Sequence, residues 1–275
     1  MDAHVVGEKR DRMAARIGPV GLLMPALMVL VAWLVLTPEG LLGKADAIGY
    51  AVCHRIDLRS FHLGTRVLPL CARCTGMYLG ALVGLAGLAG LGRLRYGKFP
   101  RPALLGLFGI FAATWAIDGL NSYLTLIPGA PHAYEPNNTL RLITGTLMGL
   151  ALGVLVFTGF NQNVWRGWKD EPVLRSFREV GVLLLLGAVV VGLVLSENPL
   201  VLYPLALLSA AGVLVLLGMV YAVVVLLVLR RENRAESWGG VALPLMAGVA
   251  LAILQIGLLD LARYTLTGTW AGFAL

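Results

Sequence analysis

Residues 200–229 read LVLYPLALLSAAGVLVLLGMVYAVVVLLVL, thirty positions without one charged side chain. A helix of roughly 20 apolar residues crosses a bilayer core, where lipid offers no partner to an unpaired backbone amide. The stretch therefore reads as a transmembrane helix, with length to spare for tilt or a projecting end. Six other segments share its character: 17–36, 75–91, 103–127, 140–160, 180–196 and 241–262. The sequence predicts an all-α polytopic transmembrane bundle of about seven spans. Glu197-Asn198-Pro199 is a tight turn that sets the fifth and sixth spans antiparallel.

Composition agrees. Of 275 residues, 58% are hydrophobic and 13% charged, about half the charged share of a soluble domain. That excludes a disordered chain, a soluble globular enzyme and an ordinary nucleic-acid-binding module. The net charge of +7 is read as membrane topology rather than affinity for nucleic acid, because cationic loops orient apolar spans. With the N-terminus in the cytoplasm, fifteen of the 22 basic residues fall on the cytoplasmic side, in clusters at 9–16, 93–101, 166–178 and 230–234. The expected orientation is N-in and C-out in the plasma membrane. The first span follows basic residues but is too long for a signal core, and reads as a retained helix. Three regions follow: a cytoplasmic segment at 1–16, a motif-bearing membrane region at 17–162, and a C-terminal membrane region at 163–275.

Small residues mark where helices approach. Gly76, Gly80 and Gly84 recur every fourth residue on the second span, as do Gly145, Gly149 and Gly153 on the fourth. This spacing lets backbones pack closely in lipid. Each ladder opens with Thr-Gly, and Arg73 or Arg141 precedes it, a short echo of one segment in the other. Trp165, Trp168, Tyr203, Trp238 and Trp270 lie near span ends and read as interface anchors.

The outer loop between spans one and two (37–74) holds the chemistry. Its core, AVCHRIDLRSFHLGTRVLPLCARCTGMY, contains all three cysteines, Cys53, Cys71 and Cys74. A C-x-x-C pair with a third cysteine and a nearby imidazole suits a tetrahedral, thiophilic ion such as Zn²⁺. The fourth ligand is open among His54, His62 and His132. His54 adjoins Cys53, and adjacent side chains converge on one ion with difficulty. A disulfide or redox thiol competes with the metal reading, since the loop is expected on the oxidising side. Lys44, Arg55, Arg59, Arg66 and Arg73 crowd the same loop. They serve either an anion, which arginine grips with two parallel donors, or pairing with Asp46, Asp57 and lipid headgroups. At membrane depth Asp118 needs a partner. Arg141, across a turn-rich loop, is the expected one; Asp260 and Gln255 are weaker candidates.

The pattern Cys53-His54, Arg59-Ser60-Phe61 and Leu68-Pro69-Leu70-Cys71-Ala72-Arg73-Cys74-Thr75-Gly76-Met77-Tyr78 resembles the DUF2085 family of predicted prokaryotic membrane proteins. Asp118-Gly119, then Asn137-Asn138 through Arg141, Thr144 and Gly145, resemble its later motifs. The resemblance implies that His54 belongs with the cysteines, and that Arg59, Arg73, Asp118, Asn137 and Arg141 form one polar site. The family places a Gln after Asp-Gly, where this chain has Asn121 and Ser122. No phosphate-binding G-x-x-x-x-G-K-[ST] loop and no c-type haem motif is present. The expected function is a zinc-binding membrane protein with an outer-face polar site for an anionic lipid or other amphipathic substrate. The alternatives are a transporter with structural zinc, an accessory subunit of a membrane complex or an oligomer, and a thiol-redox protein.

Overall fold

A computed structural model describes residues 19–273; the expected cytoplasmic segment at 1–16, with Lys9, Arg10, Arg12 and Arg16, lies outside the described residues. The α-helices are α1 (Pro19–Leu36), α2 (Gly40–Val52), α3 (Ala72–Gly90), α4 (Pro102–Leu124), α5 (Asn138–Val164), α6 (Phe177–Leu195), α7 (Pro199–Val228) and α8 (Trp238–Thr267). Helices α3 to α8 are each long and apolar enough to cross a membrane. Helix α1 and its neighbour α2 meet at an angle of 107°, a broken span or a re-entrant loop by length and composition; counted as one span, the pair brings the total to seven. The architecture is the all-α, multi-pass bundle that the apolar segments imply. Isoleucine, leucine and valine side chains stay exposed along α4 and α6, among them Ile117, Leu120, Leu185 and Val189. These faces suit lipid, where exposure of apolar surface carries no penalty.

The loop before α3 is more regular than its sequence implies. It begins with the helix α2, which follows a sharp corner. Pro38 disfavours a helical conformation at Thr37, and the ammonium of Lys44 turns back onto the carbonyl oxygens of Thr37 (2.9 Å) and Leu34. Lys44 thereby caps the α1 carbonyls that lack helical partners. A short antiparallel hairpin of β1 (His62–Leu63) and β2 (Arg66–Val67) follows.

Helices α3 and α5 run parallel with their glycine ladders facing. A Cβ added to Gly149 would lie 2.0 Å from the carbonyl oxygen of Met77, and one on Gly145 2.2 Å from that of Arg73. In the other direction, a Cβ on Gly80 would lie 2.4 Å from the oxygen of Thr146. No side chain larger than hydrogen fits at these positions. At the opposite end of the bundle, β3 (Tyr96–Lys98) pairs in parallel with β4 (Lys169–Pro172). There Arg93 bonds Glu179 at 2.8 Å. Trp165, expected as an interface anchor, is instead core: it is 1% exposed, bonds Asn161 Oδ1 at 3.2 Å and meets Trp238 edge-on. Its neighbours Asn161 and Trp238 give the indole a better berth than the interface does.

Gly149→Ala should cost about 3 kcal/mol through overpacking. Gly159→Ala, on the same helix, should cost almost nothing, because open space surrounds Gly159. Thermal denaturation in detergent checks this; equal melting temperatures for the two variants would contradict the packing.

Candidate functional site

The cysteines meet where one helix ends and another begins. Cys53 closes α2, Cys71 is the residue that opens α3, and Cys74 sits in its first turn. The C-x-x-C spacing therefore places two thiols at a helix N-terminus, whose partial positive charge favours thiolates. A Cβ on Gly49 would lie 1.8 Å from the carbonyl oxygen of Pro69. The bare glycine lets the 69–71 segment rest directly on α2, and the backbone N–H of Cys71 donates to Cys53 Sγ at 3.3 Å. All three sulfur atoms lie within 4.8 Å of one another, a set compatible with a metal ion. All three are free thiols. Ala210 and Val213 of α7, with Ile253 and Ile256 of α8, form the buried apolar cluster that includes Cys53 and Cys71.

Hydrogen bonds within the trio shift the cysteines in opposite directions. Cys53 is held well below the ordinary thiol range, first by its bond with Cys71 and next by that with Cys74. Cys71 is pushed up to about 12, chiefly by the same bond to Cys53.

None of the three expected imidazoles joins the sulfurs within 4.8 Å among the described residues. His62 bonds Asp57 Oδ1 at 3.0 Å, and His132 bonds Glu135 at 2.9 Å. His54 is nearer to the chemistry. Arg55 adopts a left-handed backbone (φ 51°), which brings the N–H of Ile56 to His54 Nδ1 at 2.9 Å. A neutral ring that accepts at Nδ1 carries its proton on Nε2. As it stands, His54 offers a donor and not a metal-binding lone pair. Burial lowers its affinity for a second proton, and Cys53, Arg59, Arg141 and Arg73 all act on it electrostatically.

The polar site gathers on α4. Asp118, 2% exposed, is gripped by Arg73: Nε donates to Oδ2 at 3.0 Å, and Nη2 donates to Oδ2 and to the Asp118 backbone oxygen. Tyr134 OH donates to Oδ1 at 2.9 Å. This corrects the expected Asp118–Arg141 pair. Arg73 takes the carboxylate because the glycine-tight contact of α3 with α5 carries the first turn of α3 inward. Arg141 instead reaches Ser122 Oγ (3.4 Å) and Asn138 Oδ1 (3.0 Å). Arg59 donates to the Ser122 backbone oxygen at 2.8 Å and to Thr125 Oγ1 at 3.2 Å. Burial first, then the charge of Arg73, pulls Arg59 below the usual guanidinium range. Asn137 caps α5 by accepting from the N–H of Leu140, so its side chain serves the helix. The remaining loop cations separate cleanly: Arg55 and Arg66 both pair with Asp46.

Ser122 is the residue that the sequence reading underweighted. It receives Arg73 on its hydroxyl at 2.9 Å, Arg141 on the same oxygen, and Arg59 on its carbonyl. It lies four residues beyond Asp118, on the same helix face, and that spacing was the available signal. Arg263 of α8 was also missed. It donates to the carbonyl oxygens of Tyr50 (2.6 Å), Cys53 (2.7 Å) and His54 (3.4 Å), so the last span holds the cysteine loop in place.

Asp118→Asn leaves the half-buried Arg73 guanidinium without its counter-charge and should cost about 3 kcal/mol. Tyr134→Phe removes one hydrogen bond from the same carboxylate and should cost about 1 kcal/mol. Thermal denaturation of both variants decides; equal losses would contradict the central place given to the Arg73–Asp118 pair.

Residues 53–155 match the model of the family described as DUF2085, predicted membrane protein. The match spans all three cysteines, His54, Arg59, Arg73 and Arg141, and both glycine ladders. The chain is 34% identical over 104 residues to an uncharacterised protein of Methanothermobacter thermautotrophicus, covering 38% of this chain and 83% of that one. It is 28% identical over 123 residues to an uncharacterised protein of Methanocaldococcus jannaschii, covering 45% of this chain and 72% of that one. No solved structure matches. With the motifs, the multi-pass bundle and these relatives in agreement, the chain belongs to the DUF2085 family of predicted membrane proteins.

Proposed function

We propose that this membrane protein binds an anionic, amphipathic molecule at Arg59, Arg73 and Arg141, beside a zinc ion held by Cys53, Cys71 and Cys74. One observation carries the reading: three guanidinium groups share a site with a single carboxylate. Arg59 and Arg141 are 8% and 4% exposed, and neither meets a carboxylate among the described residues. Removing such charges from water costs several kcal/mol each unless a counter-charge is supplied. A phosphate or carboxylate headgroup supplies it, and the planar guanidinium fork matches that geometry with two parallel bonds. The N-termini of α3 and α5 both point into the site and add their partial positive charge. The exposed side chain of Leu58 beside Arg59 suits an acyl or isoprenoid body attached to the headgroup.

The donor set supports zinc in particular. Three clustered thiols favour a soft, tetrahedral ion, and three protein ligands leave a position for water or substrate. Zinc there would supply Lewis-acid polarisation of a bound oxygen. His54 Nε2, carrying its proton, would donate to the same anion. We place the cysteine end on the outer face of the plasma membrane, because basic residues accumulate in the loops at the opposite end.

The test uses the detergent-purified protein and short-chain phosphatidic acid, with the matching phosphatidylcholine as the zwitterionic control. Phosphatidic acid should bind more tightly, and Arg59→Gln or Arg141→Gln should weaken it about tenfold or more, the loss of about one charge-assisted contact. Zinc, at about one ion per chain, should remain in both arginine variants and be lost in Cys71→Ser and Cys74→Ser. Equal binding of the two lipids would refute the anion site. An oxidised cysteine pair without metal would replace zinc with thiol chemistry.

A further inference from the structure

A second, separate cavity opens between α1 and the end of α8. Its volume is ≈ 400 Å³, and its lining is almost wholly apolar, including Val29, Ile253, Leu254 and Leu258. Trp33, Thr37, Asp260, Tyr264 and Trp270 bring polar atoms to that lining, and of these Trp33 and Asp260 are buried without a hydrogen-bond partner among the described residues. Asp260 is 3% exposed, and among the described residues neither of its carboxylate oxygens has a hydrogen-bond partner. The indole N–H of Trp33 is likewise buried and unpartnered among them. The two are neighbours. Trp33 Cδ1 lies 4.0 Å from the place of a Cβ on Gly257, which sits one helical turn from Asp260 on the same face of α8. Of the nearby cations, Arg263 keeps a buried Nε that has no hydrogen-bond partner among the described residues. Arg263 directs its terminal nitrogens to backbone oxygens of Tyr50, Cys53 and His54, and Lys44 bonds the carbonyls that end α1.

Buried polar groups in proteins are nearly always satisfied. Here the residue whose carboxylate lacks a donor and the residue whose N–H lacks an acceptor line one cavity. We propose that this cavity binds a lipid alcohol: an apolar chain carrying a neutral hydroxyl head. One hydroxyl meets both needs, since its O–H donates to Asp260 and its oxygen accepts from Trp33 Nε1. An ammonium head answers the carboxylate but leaves the indole N–H without an acceptor. An anionic head is repelled by Asp260, which separates this site from the arginine site; the inference does not rest on that earlier reading. The chain itself fits an apolar slot that lies between two membrane helices.

The experiment uses the full-length protein in detergent, a long-chain primary alcohol bearing a chain-borne diazirine, and its methyl ether and primary amine. Photolabelled peptides are mapped by mass spectrometry. The alcohol should label the α1 and α8 segments saturably, and unlabelled alcohol should compete. The ether, which accepts but cannot donate, should need about tenfold more probe, the cost of one buried group left unpaired. Asp260→Leu should bring the alcohol to the level of the ether. Equal labelling by alcohol and ether in the unmutated protein overturns the proposal, as does tighter labelling by the amine. The comparison of probes needs no variant, so a poorly folding Asp260→Leu leaves the test intact.

Discussion

The contact on which the molecule depends is glycine against carbonyl, between α3 and α5. Gly76, Gly80 and Gly84 receive the backbone of α5, and Gly145, Gly149 and Gly153 receive that of α3. In lipid no hydrophobic drive holds helices together, so close backbone approach supplies the attraction. Because the two helices run parallel, the contact also brings their N-termini side by side. Arg73 and Arg141 stand at those ends, and two like-oriented helix dipoles meet there. The packing that stabilises the bundle concentrates positive charge at one point. Asp118 relieves part of it, and the site as a whole keeps a surplus.

The C-terminal helices complete what α3 and α5 begin. Helices α7 and α8 give the cysteines an apolar backing, and Arg263 ties down the backbone of Tyr50, Cys53 and His54. The segment after α8 adds to this. Gly272 sits so close to Arg55 that a Cβ would be 1.9 Å from its carbonyl oxygen, and Phe273 N–H donates to His54 O at 3.0 Å. Tyr50 OH reaches Thr269 O at 2.7 Å. The family match ends at residue 155, yet the cysteine loop of this chain is braced by residues a hundred positions later.

Much of this was legible in the residues. Apolar length marked the spans, four-residue glycine spacing marked the close helix pair, and the clustered cysteines marked the sulfur trio. Pairing was not legible. Asp118 had two arginines within reach, and only the depth of the α3–α5 contact selects Arg73. Helix α2 was hidden because Gly40, Gly43 and Gly49 make its segment read as loop, while its packing against Pro38 needs Gly43 and that against Pro69 needs Gly49. The tautomer of His54 depends on the left-handed backbone of Arg55, which no spacing rule reports. Asp260 was seen and ranked low for lying near a span end. Its weight comes from its surroundings, an apolar cavity and an unpartnered indole, which only the folded chain displays.

The proposed zinc site has three sulfur ligands and one position open beside the arginines. X-ray absorption spectroscopy of the zinc-loaded protein measures that directly. The account predicts three sulfur neighbours at roughly 2.3 Å and one light atom that changes when phosphate is added, without the scattering of a bound imidazole. A sphere closed by four protein ligands, with the imidazole signature of a coordinated histidine, would contradict it.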